Sequence, residues 1–558
     1  MTLRHQICKI PFMKNLGREF ILILFIGLLL IRCAAPQPKQ PFPETTSQPT
    51  PKRLMILVFD QLRPDLIEKH QLKNFMRFKQ EGLSFSNAIV GHLSSVTVVS
   101  HPVITTGLFP KHLPWLDEFF VDSEGLLGPQ GELHSALDLS ADQYKSLLKE
   151  TSSVSLLSRV APSDNSNHTY TLGQKHYAVM GFAAPLNGRV ITLGEKMASP
   201  KGWRGPVGLN VPAYFLEPHM GRFYLDCNPT YGSEESLYPL DGNRFVHGTD
   251  SSHPGGDSWV SDGITQIIEN DPDWKAIFAT FGSIDKTLHI LAEHEKPTQK
   301  HWAIENNLTL KDTLQRADEA LGNVLRSLEG RGHLEETLIM ITADHGGQAN
   351  SNFHGLTKLG LGTNYLFFAR TMNKENIELP KSLAPILKKN LIRAVSHDSA
   401  LRIWTHKNTH AELSALAREA SNLPGVAEIY TLVKTGKQYH YVRSFRSKQL
   451  KGRALEWANQ HHFDLLETMA NKTAPNLVAL LFDGEGYGFL GDHGGAQEQV
   501  QRIPLIIRSP NLLNEHKGQT VTQEVRLVDI NPIASYLMKL SIPKKLDGTF
   551  KVIEGFVR

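Results

Sequence analysis

Leu54-Met-Ile-Leu-Val-Phe59 is an unbroken apolar run that ends on Asp60 and a turn at Gln61–Pro64. A strand without polar alternation has both faces buried, which places it inside a mostly parallel sheet covered by helices. Ala276–Phe281, Leu338–Thr342 and Ile503–Ile507 have the same character. Ahead of Leu338, apolar residues at 310, 314, 317, 321, 324, 325 and 328 recur with the helical period, so an amphipathic helix is expected over Leu310–Leu328. Strand, helix and strand in succession imply a right-handed crossover. The expected fold class is therefore α/β, a mostly parallel central sheet flanked by helices.

Two stretches interrupt this pattern. Residues ~125–250 mix Gly, Pro and aromatics without a period and are expected to be an insertion of loops and short elements. Residues ~375–475 are expected to form a small α+β insertion. Its elements are a strand near Ala400–Trp404, a helix over Ala411–Ala420 and a strand near Ala427–Tyr430, with Asn422–Gly425 stopping the helix. At 558 residues, with 41% hydrophobic and 21% charged residues, the chain has no bias toward a coiled-coil rod, collagen or wholesale disorder. Its net charge of +3 and dispersed Lys and Arg give no basic stripe for nucleic acid.

The N-terminal segment reads separately. Lys14 and Arg18 precede the apolar run Phe20–Ile31, which is too short to span a bilayer comfortably and has the layout of a bacterial export signal. Residues 1–32 are thus expected to be a signal peptide. Removing them leaves 54 basic against 55 acidic residues. Leu30-Ile31-Arg32-Cys33 outlines a lipoprotein cleavage box in which Cys33 is lipidated, although Arg32 departs from the small residue usual there. An uncleaved anchor or a plain secretory signal are the alternatives. Six prolines between Pro36 and Pro51 make residues 33–52 an extended tether, and one folded unit follows from 53 to 558. Location outside the cytoplasm, periplasmic or at the cell surface, is expected. Of Cys8, Cys33 and Cys227, only Cys227 would remain within the folded unit, so no intrachain disulfide framework is possible.

Ligands of a doubly wound sheet sit at the carboxyl ends of its strands. Asp60 closes the first run, Asp285 and His289 follow the second, Asp344-His345-Gly-Gly follows the third, and Asp492-His493-Gly-Gly precedes the fourth. Singly, each is an ordinary cap or loop residue. Together, the three Asp that follow runs, Asp60, Asp285 and Asp344, and the three His offer hard oxygen and borderline nitrogen donors for two divalent cations of the zinc type. Thr97-Val-Val-Ser-His101-Pro adds a hydroxyl. Because Pro102 suits a first helical turn, the helix is expected to start near Ser100 with Thr97 at its mouth, where an anion meets free N–H groups and the helix dipole.

The ordered set Asp60, Thr97 with Ser-His at +3 and +4 and then Thr-Gly-Leu-Phe-Pro110, the D-x-x-x-H of Asp285 and His289, Asp344-His345-Gly, and His493-Gly resembles the alkaline phosphatase superfamily. Within it, the type I phosphodiesterase/nucleotide pyrophosphatase branch is the nearest match. The resemblance implies an alkaline phosphatase-like catalytic domain that hydrolyses small phosphoesters at a bimetallic, usually zinc, site. One metal would be held by Asp285, His289 and His493, the other by Asp60, Asp344, His345 and the Thr97 oxygen. Thr97 would be the catalytic nucleophile, passing through a phosphothreonine, with Ser100 a short donor for substrate. A phosphomonoesterase of the same superfamily, or a non-catalytic surface lipoprotein, are the alternatives. His354 competes with His493 for the last ligand position, and His493 is favoured because its glycine-rich loop leads directly into Ile503–Ile507. Cys227-Asn-Pro-Thr-Tyr231 lacks the arginine of a sulfatase motif. Arg63 and Lys286 stand beside ligand-bearing positions and are expected either to contact phosphate or to be solvated. Trp115, Trp203, Tyr214, Phe215 and Tyr224 would either floor a pocket or pack the first insertion.

Overall fold

The computed structural model describes residues 50–113, 116–121, 133–135, 169–170, 189–192, 212–216, 255–291, 309–353, 367–368, 392–406, 409–487, 491–542 and 546–557. The expected export signal, Cys33 and most of the expected tether lie outside them, as do Trp115, Trp203, Tyr224, Cys227 and His354. Among the described residues no helix is long and apolar enough to cross a membrane.

The strands used below are, in chain order, β1 (Arg53–Phe59), β2 (Leu83–Phe85), β3 (Thr169–Tyr170), β4 (Arg189–Thr192), β5 (Pro212–Leu216), β6 (Ala276–Phe281), β7 (Thr337–Thr342), β8 (Phe367–Phe368), β9 (Ile392–His397), β10 (Ala400–Thr405), β11 (Val426–Thr435), β12 (Gln438–Arg446), β13 (Leu477–Leu481), β14 (Leu505–Arg508) and β15 (Thr520–Val521). The helices are α1 (Lys73–Glu81), α2 (Thr97–Thr106), α3 (Gly255–Asn270), α4 (Ser283–Leu291), α5 (Leu310–Gly330), α6 (His410–Ala420) and α7 (Ile530–Leu537).

The main sheet has nine strands in the order β15-β2-β14-β7-β1-β6-β5-β4-β3. At its centre β1 runs parallel to both neighbours, with Leu54 opposite Ala276 and Leu338, and Val58 opposite Thr280 and Thr342. Leu54 through Phe59 are fully buried, as an apolar run with no alternation requires. α5 is capped by Thr309, whose hydroxyl accepts the Asp312 N–H, and it buries Leu310, Leu314, Ala317, Leu321, Val324, Leu325 and Leu328, the stripe read from the period. It packs against α3, α4 and α1. The α/β class and the mostly parallel centre are as expected.

One local expectation is corrected. The fourth apolar run forms β14 only from Leu505, because Pro504 has no N–H to give a ladder, and β14 is antiparallel to β7 rather than parallel. Residues ~125–250, which show no period, supply β3, β4 and β5 to the sheet edge, with Tyr214 and Phe215 in register with Ile277 and Phe278.

A second sheet of six antiparallel strands, ordered β8-β9-β10-β13-β11-β12, occupies the later part of the chain. α6 carries a Thr409/Glu412 capping box and packs Leu416, Ala417 and Ala420 into that sheet's core. Leu477–Leu481 belongs here, whereas Leu505–Arg508 belongs to the main sheet. The loop between them, which carries His493, therefore passes from one sheet to the other. Leu93, Leu116, Ala400, Leu480 and Ala496 form a shared apolar seam between the two layers.

Candidate metal and phosphoester site

Since β1, β6 and β7 are parallel, their carboxyl ends open on one edge of the sheet. Asp60 follows β1 directly, its N–H donating to Phe281 O (3.0 Å). Asp344 and His345 follow β7. Asp285 lies in the first turn of α4, and His289, one turn on, falls on the same helical face. His493 follows a two-residue ladder in which Gly491–Asp492 pairs with Gln348–Ala349. That ladder aligns the two Asp-His-Gly-Gly segments, and the His345 and His493 rings stack with centroids 3.8 Å apart. Close approach enforces glycine at Gly346, where an added Cβ would stand 2.2 Å from Gln499 O.

The six predicted ligands form two groups, Asp285/His289/His493 and Asp60/Asp344/His345, all buried, and within each group one donor atom per residue lies within 4.8 Å of the others. In the first, Asp285 Oδ1 is 3.1 Å from His289 Nε2 and 3.5 Å from His493 Nε2, and the two Nε2 atoms are 3.2 Å apart. In the second, His345 Nε2 is 3.4 Å from Asp60 Oδ1 and 3.6 Å from Asp344 Oδ2. Thr97 Oγ1 joins that group, 3.3 Å from His345 Nε2.

Each imidazole is oriented from behind by a carbonyl. His289 Nδ1 faces Gly491 O at 2.7 Å, His493 Nδ1 faces Ser95 O at 3.1 Å, and His345 Nδ1 faces Gly346 O at 3.1 Å. A carbonyl only accepts, so the proton is assigned to Nδ1 and the lone pair to Nε2. The two lone pairs of His289 and His493 then converge with the Asp285 carboxylate, an arrangement that a cation relieves. Asp344 Oδ1 accepts the His345 N–H at 3.0 Å, and its buried Oδ2 accepts no hydrogen bond among the described residues. The donor set, two imidazoles with one carboxylate and one imidazole with two carboxylates and a hydroxyl, fits divalent cations of the zinc type.

α2 begins at Thr97, not near Ser100, with Val96 as its cap, so Pro102 lies within the helix. Thr97 is thereby the first helical residue, and Ser100 is turned inward, fully buried with Oγ 3.5 Å from His92 Nε2. Ser100 thus stands one turn on from Thr97 along the same helix. Arg63 is neither solvated nor poised in the site: it is buried, donates to Asp65, and gives Nη1–H to Gly347 O at 2.9 Å, bracing the Asp344 loop. Behind α2, burial pushes His92 down to about 3 and His101 down to about 4, so both are neutral at neutral pH. His101 Nε2 lies 3.8 Å from Asp344 Oδ2 and 3.3 Å from Thr280 Oγ1. His92 carries no signal in the sequence. His101 stands inside the Thr97 motif, yet only the fold shows that it backs Asp344.

Residues 54–124 and 208–450, together more than half of the chain, match the type I phosphodiesterase/nucleotide pyrophosphatase family. The chain belongs to that family. It is accordingly a phosphoric ester hydrolase of the alkaline phosphatase superfamily. His493 lies beyond the matched residues and is joined to the site by the ladder above. No curated protein sequence matches this chain. Among solved structures, wild-type alkaline phosphatase PafA is similar over 90% of this chain and 98% of its own, at 13% identity and a TM-score of 0.50, a likeness of fold. Murine ectonucleotide pyrophosphatase/phosphodiesterase 5, solved as an inactive variant in complex with AMP, covers 91% of this chain and 100% of its own at 12% identity and a TM-score of 0.46.

Proposed function

We propose that this hydrolase works with two divalent cations, zinc by donor set, and with Thr97 as its nucleophile. The observation that carries the reading is the convergence of the His289 and His493 Nε2 lone pairs at 3.2 Å on Asp285, with both Nδ1 atoms held on carbonyls. Asp285, His289 and His493 would hold one cation; Asp60, Asp344, His345 and the Thr97 oxygen the other. Such ions, when bound, supply the positive charge that eases ionisation of the attacking hydroxyl and steadies the leaving oxygen of an in-line displacement.

This chain's own residues do the rest. Thr97, first in α2, presents its hydroxyl beside His345 at the mouth of the helix, where the dipole and the first-turn N–H groups favour a phosphoryl group. Thr97 Oγ1 bonds to phosphorus as the ester oxygen leaves, giving a phosphothreonine and a free alcohol. Water then attacks phosphorus, the Thr97–phosphorus bond breaks, and the hydroxyl is restored. His101 of the same helix approaches Asp344 Oδ2 to 3.8 Å, while Asp344 Oδ1 accepts the His345 N–H, so the proposed nucleophile and ligand stand side by side.

A panel of aryl phosphate diester, aryl phosphate monoester and aryl sulfate, offered to the zinc-loaded protein, tests this. Diester turnover fastest and sulfate untouched is the expected order; fastest turnover of monoester would move the reading to a phosphatase, and no phosphoester turnover would overturn it. Lys14, Arg18, the run Phe20–Ile31 and the prolines of 36–51 support export and attachment to the membrane, with lipid on Cys33. Mass analysis of the native N-terminal peptide checks that, and a cytosolic protein retaining residues 20–31 would refute it.

A further inference from the structure

Arg402 is the middle residue of an apolar strand, Ala400-Leu-Arg-Ile-Trp404, and is fully buried. Its guanidinium hydrogen-bonds through Nη1 and Nη2 and stands in ion-pair contact through Nε. Nε pairs with Asp117, Nη1 lies 2.9 and 3.0 Å from the two Asp398 oxygens, and Nη2 donates to the carbonyl of Gly494. Asp398 and Arg402 belong to the six-stranded layer, Asp117 to the segment after α2, and Gly494 follows His493.

The same corner holds the His493 loop by further bonds. Ser399 N–H donates to His493 O and Gly494 N–H to Ser95 O, each at 3.0 Å. Gln497 Nε2 reaches Ser399 O at 2.8 Å. Gly494 has φ +78, and an added Cβ there would stand 2.1 Å from Asp398 Oδ2, so the loop lies directly on the clamp. Ser95 O accepts from both Gly494 N and His493 Nδ1, which couples the loop backbone to the ring orientation.

Burial opposes the charges of this cluster. It raises Asp117 and Asp398, while the two carboxylates outweigh it at Arg402, whose pKa is raised. A buried ion cluster is a poor source of stability, and apolar residues of similar volume often serve as well. What an apolar side chain cannot supply is a planar fork with fixed donors, one of them on the Gly494 carbonyl.

We propose that Arg402 is a positioning residue that fixes the His493 imidazole toward its cation, so that the six-stranded layer sets the geometry of the metal site. This rests on the reading of His493 as a ligand. The test compares Arg402→Met, Arg402→Lys and His493→Ala in the full chain, with zinc titrated by mass spectrometry at buffered free concentrations and with cobalt(II) absorption as a report of ligand geometry. In Arg402→Met the affinity for one cation should fall about 10- to 100-fold, as for groups that orient a ligand, with the other cation retained, altered cobalt bands, and kcat restored by excess zinc. Arg402→Lys keeps the charge that holds the two carboxylates but not the fork, and should fall between. Equal weakening of both cations, or two cations held at wild-type affinity with unchanged cobalt bands, overturns the proposal. Should Arg402→Met fail to fold, the same outcomes in Arg402→Lys decide. Two cations retained in His493→Ala overturn instead the ligand reading beneath it.

Discussion

Under the proposed mechanism a single oxygen at Thr97 would be both a cation ligand and a nucleophile, and these roles separate on substitution. Thr97→Ala removes one donor from a group that keeps Asp60, Asp344 and His345, so both metals should stay while kcat falls by about three orders of magnitude or more. Near wild-type turnover in the fully metallated variant would end the nucleophile reading. His493→Ala takes one donor from a three-residue group and should release a cation and lose activity together, which metal analysis checks. That Asp60, Asp285, His289, Asp344, His345 and His493 gather into two buried groups was legible because residues that follow the strands of a parallel sheet share one of its edges. Their poise was not. Which ring nitrogen faces the site depends on carbonyls far away in the chain, Gly491 for His289 and Ser95 for His493, and no local pattern encodes them. The surroundings of Ser100 were hidden for a related reason: the helix starts three residues before the position its proline suggests and sets that hydroxyl beside His92.

Elements were legible where burial alone decides them. β1 and α5 were read from an apolar run and a helical period, whereas β3 to β5 join a sheet edge and leave no period of their own. The support of α2 could not be read either. α7 reaches it through Asn531 Nδ2, which donates to Thr105 O at 2.6 Å, and Asp529 organises the approach by accepting the N–H groups of Arg526 (2.8 Å) and Thr549 (2.7 Å). Burial pushes Asp529 up to about 6 from an ordinary 3.8. A raised acid pKa means the folded state holds the proton more tightly. Its contribution is fully present below about pH 4 and is lost as pH rises to about 6, at most about 3 kcal/mol in all. Asp529→Asn cannot titrate. Urea unfolding of both proteins from pH 4 to 7 should show the variant's relative stability improving by up to that amount with rising pH; a difference that does not change with pH would show that Asp529 ionises in the fold as it does in the unfolded chain.

For the whole molecule, the site is where two sheets and several distant segments are tied together. Asp60 and Asp344 stand on the nine-stranded sheet, Thr97 on α2, Asp285 and His289 on α4, and His493 on the loop that leads from β13 of one sheet to β14 of the other. Cations bound there would bind the folded chain and not the unfolded one, since the donors come together only through tertiary contacts. Linkage then requires that metal stabilise the fold by RT ln(1 + [L]/Kd), about 4 kcal/mol at a thousandfold excess over Kd. Removing metal with a chelator should therefore lower the unfolding temperature and abolish hydrolysis together. Zinc added back should raise both, with the unfolding temperature climbing logarithmically with free zinc. In Thr97→Ala the thermal response to zinc should persist without the activity, because the remaining ligands are intact. A protein that loses neither thermal stability nor turnover after exhaustive chelation would show that the two buried groups of Asp and His serve the fold alone, and the metal-dependent reading would fall.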